Sequence, residues 1–247
     1  MKLNKKIALV TGGGSGIGLA ISTALSSKGA TVIICGRNKD KLEKAKQQFP
    51  ELEIEVCDVS EAKQIVALVK NLEEKFGGVD LLVNNAGIFE NVDYANGNPS
   101  MEMQEREIDI DFTGPIRMIH HFLPILRKKD ESAVINVSSG LAFVPLTLAP
   151  VYCATKAGLH AWTRSFRYQM AKTSVKVFEL MPPLVETEMV ADFKGQKMMK
   201  PDVLAKALIK GLEGDKYEIT PGQSSQLKMM SKLAPGFIFK MLNKQFG

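Results

Sequence analysis

Short apolar runs alternate with longer amphipathic segments along this chain. The runs at 6–11, 30–35, 52–57, 79–84, 132–138, 174–181 and 216–220 read as strands. The segments at 16–28, 38–48, 60–76, 101–128, 151–172 and 201–213 show the helical period. The strand runs, such as Ala133-Val134-Ile135-Asn136-Val137, are almost unbroken rather than alternating, as strands buried on both faces are. An α/β fold is therefore expected: a doubly wound parallel sheet of about seven strands with helices on both faces. Its ligand crevice should lie at the carboxyl ends of the strands. No repeat or low-complexity linker divides residues 1–247, so a single domain is expected, with 221–247 as a C-terminal extension outside the repeating pattern. The stretch 186–200, of mixed polarity around Gly195, reads as a loop or short helix off the sheet.

Composition changes this picture little. The chain is 45% hydrophobic and 24% charged, with a net charge of +5, ordinary for a soluble globular protein. The basic residues form no stripe interleaved with aromatics, which argues against a nucleic-acid partner. No apolar stretch reaches membrane-spanning length, and Ile7–Val10 is too short for the core of a signal peptide. Cys35, Cys57 and Cys153 leave at least one thiol unpaired and lack metal-ligand spacing; the expectation is no metal and a reducing, cytoplasmic compartment.

The first candidate chemistry is the segment Thr11-Gly12-Gly13-Gly14-Ser15-Gly16-Ile17-Gly18, between the first strand and the first helix. Glycines there let the backbone approach a pyrophosphate, and the helix N-terminus adds unsatisfied N–H groups. This makes the fold Rossmann-type and the ligand a dinucleotide, although the spacing is Gly-x-x-x-Gly-x-Gly rather than the strict fingerprint. The second strand ends in Gly36-Arg37 with no acid before Asp40. An acid there would favour NAD; an arginine accommodates the 2′-phosphate, so NADP(H) is expected over NAD(H).

Tyr152 and Lys156 stand one helical turn apart on one face. An ammonium beside a phenol stabilises the phenolate and lowers the tyrosine pKa toward neutrality, which suits proton transfer to a developing alkoxide.

The glycine loop, Asn84-Asn85-Ala86-Gly87, Ser139 and Tyr152-x-x-x-Lys156, in this order and with thirteen residues from Ser139 to Tyr152, resemble the short-chain dehydrogenase/reductase family over essentially the whole chain. The stretches Ser138–Phe143, Val151–Lys156 and Met181-Pro182-Pro183 resemble the subgroup encoded with lipoteichoic-acid D-alanylation genes. The resemblance implies an oxidoreductase acting on a small-molecule carbonyl or alcohol and assembling as a homodimer or homotetramer through the helices carrying 116–122 and 162–170. It implies catalytic roles for Ser139, which would bond the substrate oxygen, for Tyr152, which would exchange its proton, and for Lys156, which would also hold the nicotinamide ribose. It further implies that Gly12, Gly14, Ser15, Gly16, Ile17, Gly18, Arg37, Asp58, Val59, Asn85, Ala86, Gly87, Tyr152, Lys156, Pro182, Val185 and Thr187 contact the cofactor. Within that set Asp58 would meet the adenine amino group and Thr187 the carboxamide.

Two positions depart from the family's pattern. Asp111 replaces an asparagine that helps hold a relay water, and Pro182-Pro183 replaces Pro-Gly. Two other classes stay open: a hydrolase using Ser139, although no Gly-x-Ser-x-Gly surrounds it, and a regulator that binds NADPH without turnover. His120, His121 and His160 read as structural or surface residues, and Trp162 and Phe166 as packing along one helix face.

Overall fold

The computed structural model describes residues 1–193 and 195–246, with Phe246 described in its backbone alone. Lys194 and Gly247, which belong to the expected loop and tail, lie outside the described residues. All seven expected strands form: β1 (Ile7–Thr11), β2 (Thr31–Gly36), β3 (Glu53–Val56), β4 (Leu81–Asn84), β5 (Ser132–Val137), β6 (Val175–Leu180) and β7 (Glu218–Ile219). They make one sheet in the order β3-β2-β1-β4-β5-β6-β7, and every pairing is parallel. The order reverses between β1 and β4, so a crevice opens past their carboxyl ends.

Helices cover both faces. On one face lie α1 (Gly16–Ser26), α2 (Lys39–Gln48) and α7 (Pro201–Glu213), packed on Ala8 and Val10 through Ile21, Leu25, Leu42 and Leu208. On the other lie α3 (Ala62–Phe76), α5 (Gly114–Arg127) and α6 (Pro150–Met170), packed on Leu9 and Ile33 through Leu72, Phe122 and Phe166. Successive strand residues thus feed opposite cores, which is why the runs read as continuous.

The helix expected over 101–128 is not continuous. It begins as α4 (Met101–Ile108), passes through a π-helical turn at Asp109–Thr113, and resumes as α5. Pro115 has no N–H to give the Asp111 carbonyl, and the Gly114 N–H instead reaches the Asp109 carbonyl, five residues back. Such turns inside helices often mark functional positions, and this one carries Asp111.

The extension also differs from expectation, because it is helical: α8 (Gln223–Leu233) and α9 (Pro235–Phe246) form outside the sheet. Between β6 and α7, a short 3₁₀ turn at Glu188–Val190 sits in the expected loop. No helix of the described residues is long and apolar enough to cross a membrane.

Candidate active site

A buried relay of amides fixes α6, which carries Tyr152 and Lys156, to the sheet. Asn84 Nδ2 donates to Asn136 Oδ1 at 2.8 Å, and Asn136 Nδ2 donates to Thr163 Oγ1 at 2.9 Å. The turn bearing Ser139 is held from below by its neighbour, since Ser138 Oγ donates to the buried Glu179 at 2.6 Å. Glu179 also meets His160 Nδ1 at 2.9 Å, so this histidine is structural, as expected. The His160 ring packs edge-on against Phe143.

The glycine loop is shaped for close backbone approach. Gly12 and Gly16 have φ of +63° and +53°, the left-handed region that glycine enters without strain. A Cβ at Gly18 would lie 2.2 Å from the Gly12 carbonyl oxygen, and one at Gly12 would lie 2.9 Å from Ala86 Cα. Asn85 ties this loop to β4: its Nδ2 donates to the Thr11 carbonyl at 3.0 Å, and its backbone N–H donates to Thr11 Oγ1 at 2.9 Å. Ser15 stands at the N-cap of α1 with its side chain making no capping bond.

A cleft of about 900 Å³ runs from this loop to the tail. It brings together Gly12, Ser15, Gly16, Ile17, Gly18, Asn85, Ala86 and Gly87 with Asp111, Ser139, Tyr152, Lys156, Pro182, Val185 and Thr187. Gly14, Arg37, Asp58 and Val59 are not part of its lining. Gly14 backs onto Leu42, and Val59 is buried against Gly114. Arg37 is exposed where β2 ends. One carboxylate oxygen of Asp58 accepts from the Ser60 N–H at 2.9 Å and hydroxyl at 2.7 Å.

Around Tyr152 the geometry is dominated by charge in a dry place. Lys156 Nζ lies 2.9 Å from Asp111 Oδ2, with side chains only 5% and 0% exposed. The other Asp111 oxygen accepts from the Ile88 N–H at 2.8 Å. The Tyr152 ring packs edge-on against Phe89 at 4.9 Å, and the ammonium sits 5.3 Å from its centre. Burial alone would depress Lys156, but Asp111 and then Tyr152 outweigh it, and the ammonium is held above its ordinary pKa.

The direction at Tyr152 corrects the expectation from sequence. Burial raises the phenol and outweighs the lowering by Lys156, while Asp111 raises it further. In the chain by itself the hydroxyl therefore keeps its proton. The expected lowering assumed a free ammonium, whereas this one is already paired.

Glu107 is an addition to the residues expected from sequence. It is fully buried, one helical turn before Asp111, and its Oε1 accepts from the Glu90 N–H at 3.0 Å. Among the described residues its Oε2 has no hydrogen-bond partner. Burial pushes its pKa up to about 7, opposed by that N–H and reinforced by Asp111. A signal for it exists in the chain: Gln104, Glu107 and Asp111, at spacings of three and four, form a polar stripe that the helix buries.

Tail residues close the far end of the cleft. Leu227, Met230, Phe237, Ile238, Met241 and Leu242 line it together with Phe89, Leu141 and Leu146.

Comparisons with known proteins give the family and the fold. The family model for short chain dehydrogenase matches residues 6–197. The chain is 36% identical over 250 residues to the uncharacterized oxidoreductase DltE of Bacillus subtilis (strain 168), covering 99% of each chain. Among solved structures, a short chain dehydrogenase from Burkholderia cenocepacia J2315 in complex with NADP superimposes with a TM-score of 0.86 at 24% identity, covering 98% of this chain and 99% of that one. A short chain dehydrogenase/reductase from Burkholderia phymatum in complex with NAD gives 0.83 at 18% identity, with coverage of 94% and 95%.

Proposed function

The chain belongs to the short-chain dehydrogenase family, and we propose that it is an NADP(H)-dependent oxidoreductase interconverting apolar carbonyl compounds and their alcohols, with Tyr152 as acid and base. The observation that carries this reading is the convergence of Ser139, Tyr152 and Lys156 on one cleft whose other end is the glycine loop.

The residues present fit a dinucleotide. The cradle at Gly12 and Gly18 has no room for a side chain, and the α1 N-terminus offers N–H groups and a favourable dipole to a pyrophosphate. Gly14, Ser15, Gly16 and Ile17 complete that turn. Asn85, Ala86 and Gly87 would border the adenine ribose, and Asp58 and Val59 the adenine. Pro182, Val185 and Thr187 would border the nicotinamide. When bound, the dinucleotide supplies or accepts the hydride.

The chain's own groups handle the proton. Ser139 Oγ accepts from the Leu141 N–H at 3.1 Å, and its hydroxyl, which hydrogen-bonds the Tyr152 hydroxyl, would bond the substrate oxygen beside it. Tyr152, holding its proton by burial, gives it to the developing alkoxide. Lys156 stabilises the phenolate left behind. Apolar walls at Phe89, Leu141, Leu146, Leu227 and Met230 exclude water and favour a hydrophobic substrate.

Arg37 and the missing acid at Gly36 support NADP(H). A charge-assisted bond to the 2′-phosphate contributes about 1.5–3 kcal/mol, so kcat/KM for NADPH should exceed that for NADH by about 10- to 100-fold. Gly36→Asp combined with Arg37→Ala should reverse the order. The test is cofactor consumption with a panel of apolar aldehydes, ketones and quinones, beside an ester panel without cofactor. Equal use of NADPH and NADH would end the cofactor assignment; ester cleavage without reductase activity would end the oxidoreductase reading.

The three free, buried thiols fit a reducing compartment, and a cytoplasmic location is part of the proposal. So is assembly as a homodimer or homotetramer through α5 and α6, where Trp162 stacks on Phe166 at 4.8 Å and stays half-buried.

A further inference from the structure

Helices α8 and α9 carry the same pattern of exposed side chains. On α8, Met229, Lys232 and Leu233 share one face, at spacings of three and four. On α9, Phe237, Lys240, Met241 and Lys244 do the same. All of them are exposed, Leu233 by 73% and Phe237 by 62%. Met229, Phe237 and Met241 also line the cleft, so the two stripes converge at its mouth. Between them on α9, Ile238 and Leu242 anchor the hairpin by burial with Val144 and Leu146.

Charge on this hairpin has one sign. The corner Leu233-Ala234-Pro235-Gly236-Phe237 is uncharged, with Lys232 before it and Lys240 after it. Residues 221–247 contain four lysines and no Asp or Glu. Lys228 is paired with Glu218, while Lys232, Lys240 and Lys244 make no ion pair among the described residues. An apolar corner with a basic collar is unfavourable in water. It is complementary to an anionic lipid surface, where the apolar side chains enter the acyl boundary and the ammoniums stay at the headgroups. A second copy of the chain fits this face poorly. A twofold interface sets a patch against itself, and lysines would then face lysines with no acid to pair them.

We propose that the α8–α9 corner docks on an anionic bilayer, with Leu233 and Phe237 in the acyl boundary, Lys232, Lys240 and Lys244 on the lipid phosphates, and the cleft mouth turned to the lipid. The contact is peripheral, since neither helix is long enough to cross the membrane. A lipid-soluble carbonyl compound then passes along Met229, Phe237 and Met241 toward Tyr152 without crossing water. This delivery rests on the proposed oxidoreductase reading; the docking does not.

The full chain should sediment with vesicles of equal parts phosphatidylglycerol and phosphatidylcholine, and far more weakly with phosphatidylcholine alone. A lysine at an anionic surface strengthens binding about fivefold, so Lys232→Gln, Lys240→Gln and Lys244→Gln together should weaken it about 100-fold. Leu233→Ser should weaken it about tenfold, through the apolar burial it forgoes. Leu233 and the three lysines lie outside the cleft lining, so both variants should keep the melting temperature and the turnover of a short, water-soluble aldehyde. With a long-chain carbonyl compound held in the vesicles, the natural protein should turn over faster on anionic than on neutral lipid, and L233S should lose that advantage.

Absence of binding to anionic vesicles overturns the docking, and so does binding that both variants retain. Weakening in the lysine variant with none in L233S overturns the inserted corner. An oligomer that L233S dissociates, in a natural chain that ignores vesicles, overturns the lipid in favour of a second copy. Vesicle binding that responds to both variants, with no turnover of any carbonyl compound, counts against the oxidoreductase reading and leaves the docking supported.

Discussion

Tyr152→Phe should lower turnover by about 10²–10⁴-fold, the usual effect of removing a positioned acid, while NADPH affinity changes little. The substitution deletes one hydroxyl and keeps the ring that packs on Phe89 at 4.9 Å, so the cleft keeps its shape. What disappears is the group that receives charge in the transition state. The phenol is held protonated by burial, against the pull of Lys156, so it is ready to donate across neutral pH without a separate protonation step. Alcohol oxidation needs the phenolate instead, and its rate should climb with pH. The measurement is single-turnover reduction beside a fluorescence titration of NADPH binding. A Y152F enzyme within threefold of the natural one would remove Tyr152 from the mechanism.

The elements that position this tyrosine are largely legible in the chain. The central strand runs are apolar on both faces because each feeds two cores, and the glycines at Gly12 and Gly18 stand where the backbone leaves no space for a Cβ. The interruption at Asp109–Thr113 is not legible, because a π turn adds one residue without disturbing the apolar stripe to either side. Pro115 is its only mark. Asp111 is visible as a departure in type, yet its pairing with Lys156 depends on that turn and on burial. Glu107 escapes notice because a polar residue in a helix ordinarily faces water, and only its spacing to Gln104 and Asp111 betrays the buried stripe. The tail has no clear helical period, since its apolar residues are divided between the cleft, a small core and solvent. Arg37 is a different case: it sits exposed at the end of β2, and its support for NADP(H) comes from residue type alone.

Removing residues 223–247 should reduce kcat/KM for apolar carbonyls by about 10²-fold while the affinity for NADPH stays within about threefold. Helix α8 lies flush on the turn that bears Ser139: a Cβ at Gly140 would stand 2.7 Å from Ser224 Oγ. Lys228 pairs with Glu218 at the end of the sheet, and Asn243 accepts from the Thr147 N–H and donates to the Pro145 carbonyl at 3.1 Å. Ile238 and Leu242 are buried with Val144, Leu146 and Cys153, each such side chain contributing about 1.5–3 kcal/mol. The same hairpin supplies Leu227, Met230, Phe237 and Met241 to the cleft. A substrate that loses the equivalent of three or four buried methylenes against this wall, at about 0.8 kcal/mol each, loses roughly 2.7 kcal/mol, or 100-fold. The glycine loop and α1 lie at the other end of the cleft, which is why NADPH binding should survive. Because the truncation also uncovers Val144 and Leu146, a milder variant separates lost wall from lost folding. Phe237→Ala with Met241→Ala trims two side chains that are largely exposed and leaves Ile238 and Leu242 in place. It should lower kcat/KM for long apolar substrates more than for short ones. A folded truncation with unchanged kinetics would show that the hairpin is no part of the substrate site, and chain-length dependence that persists undiminished in the double variant would say the same.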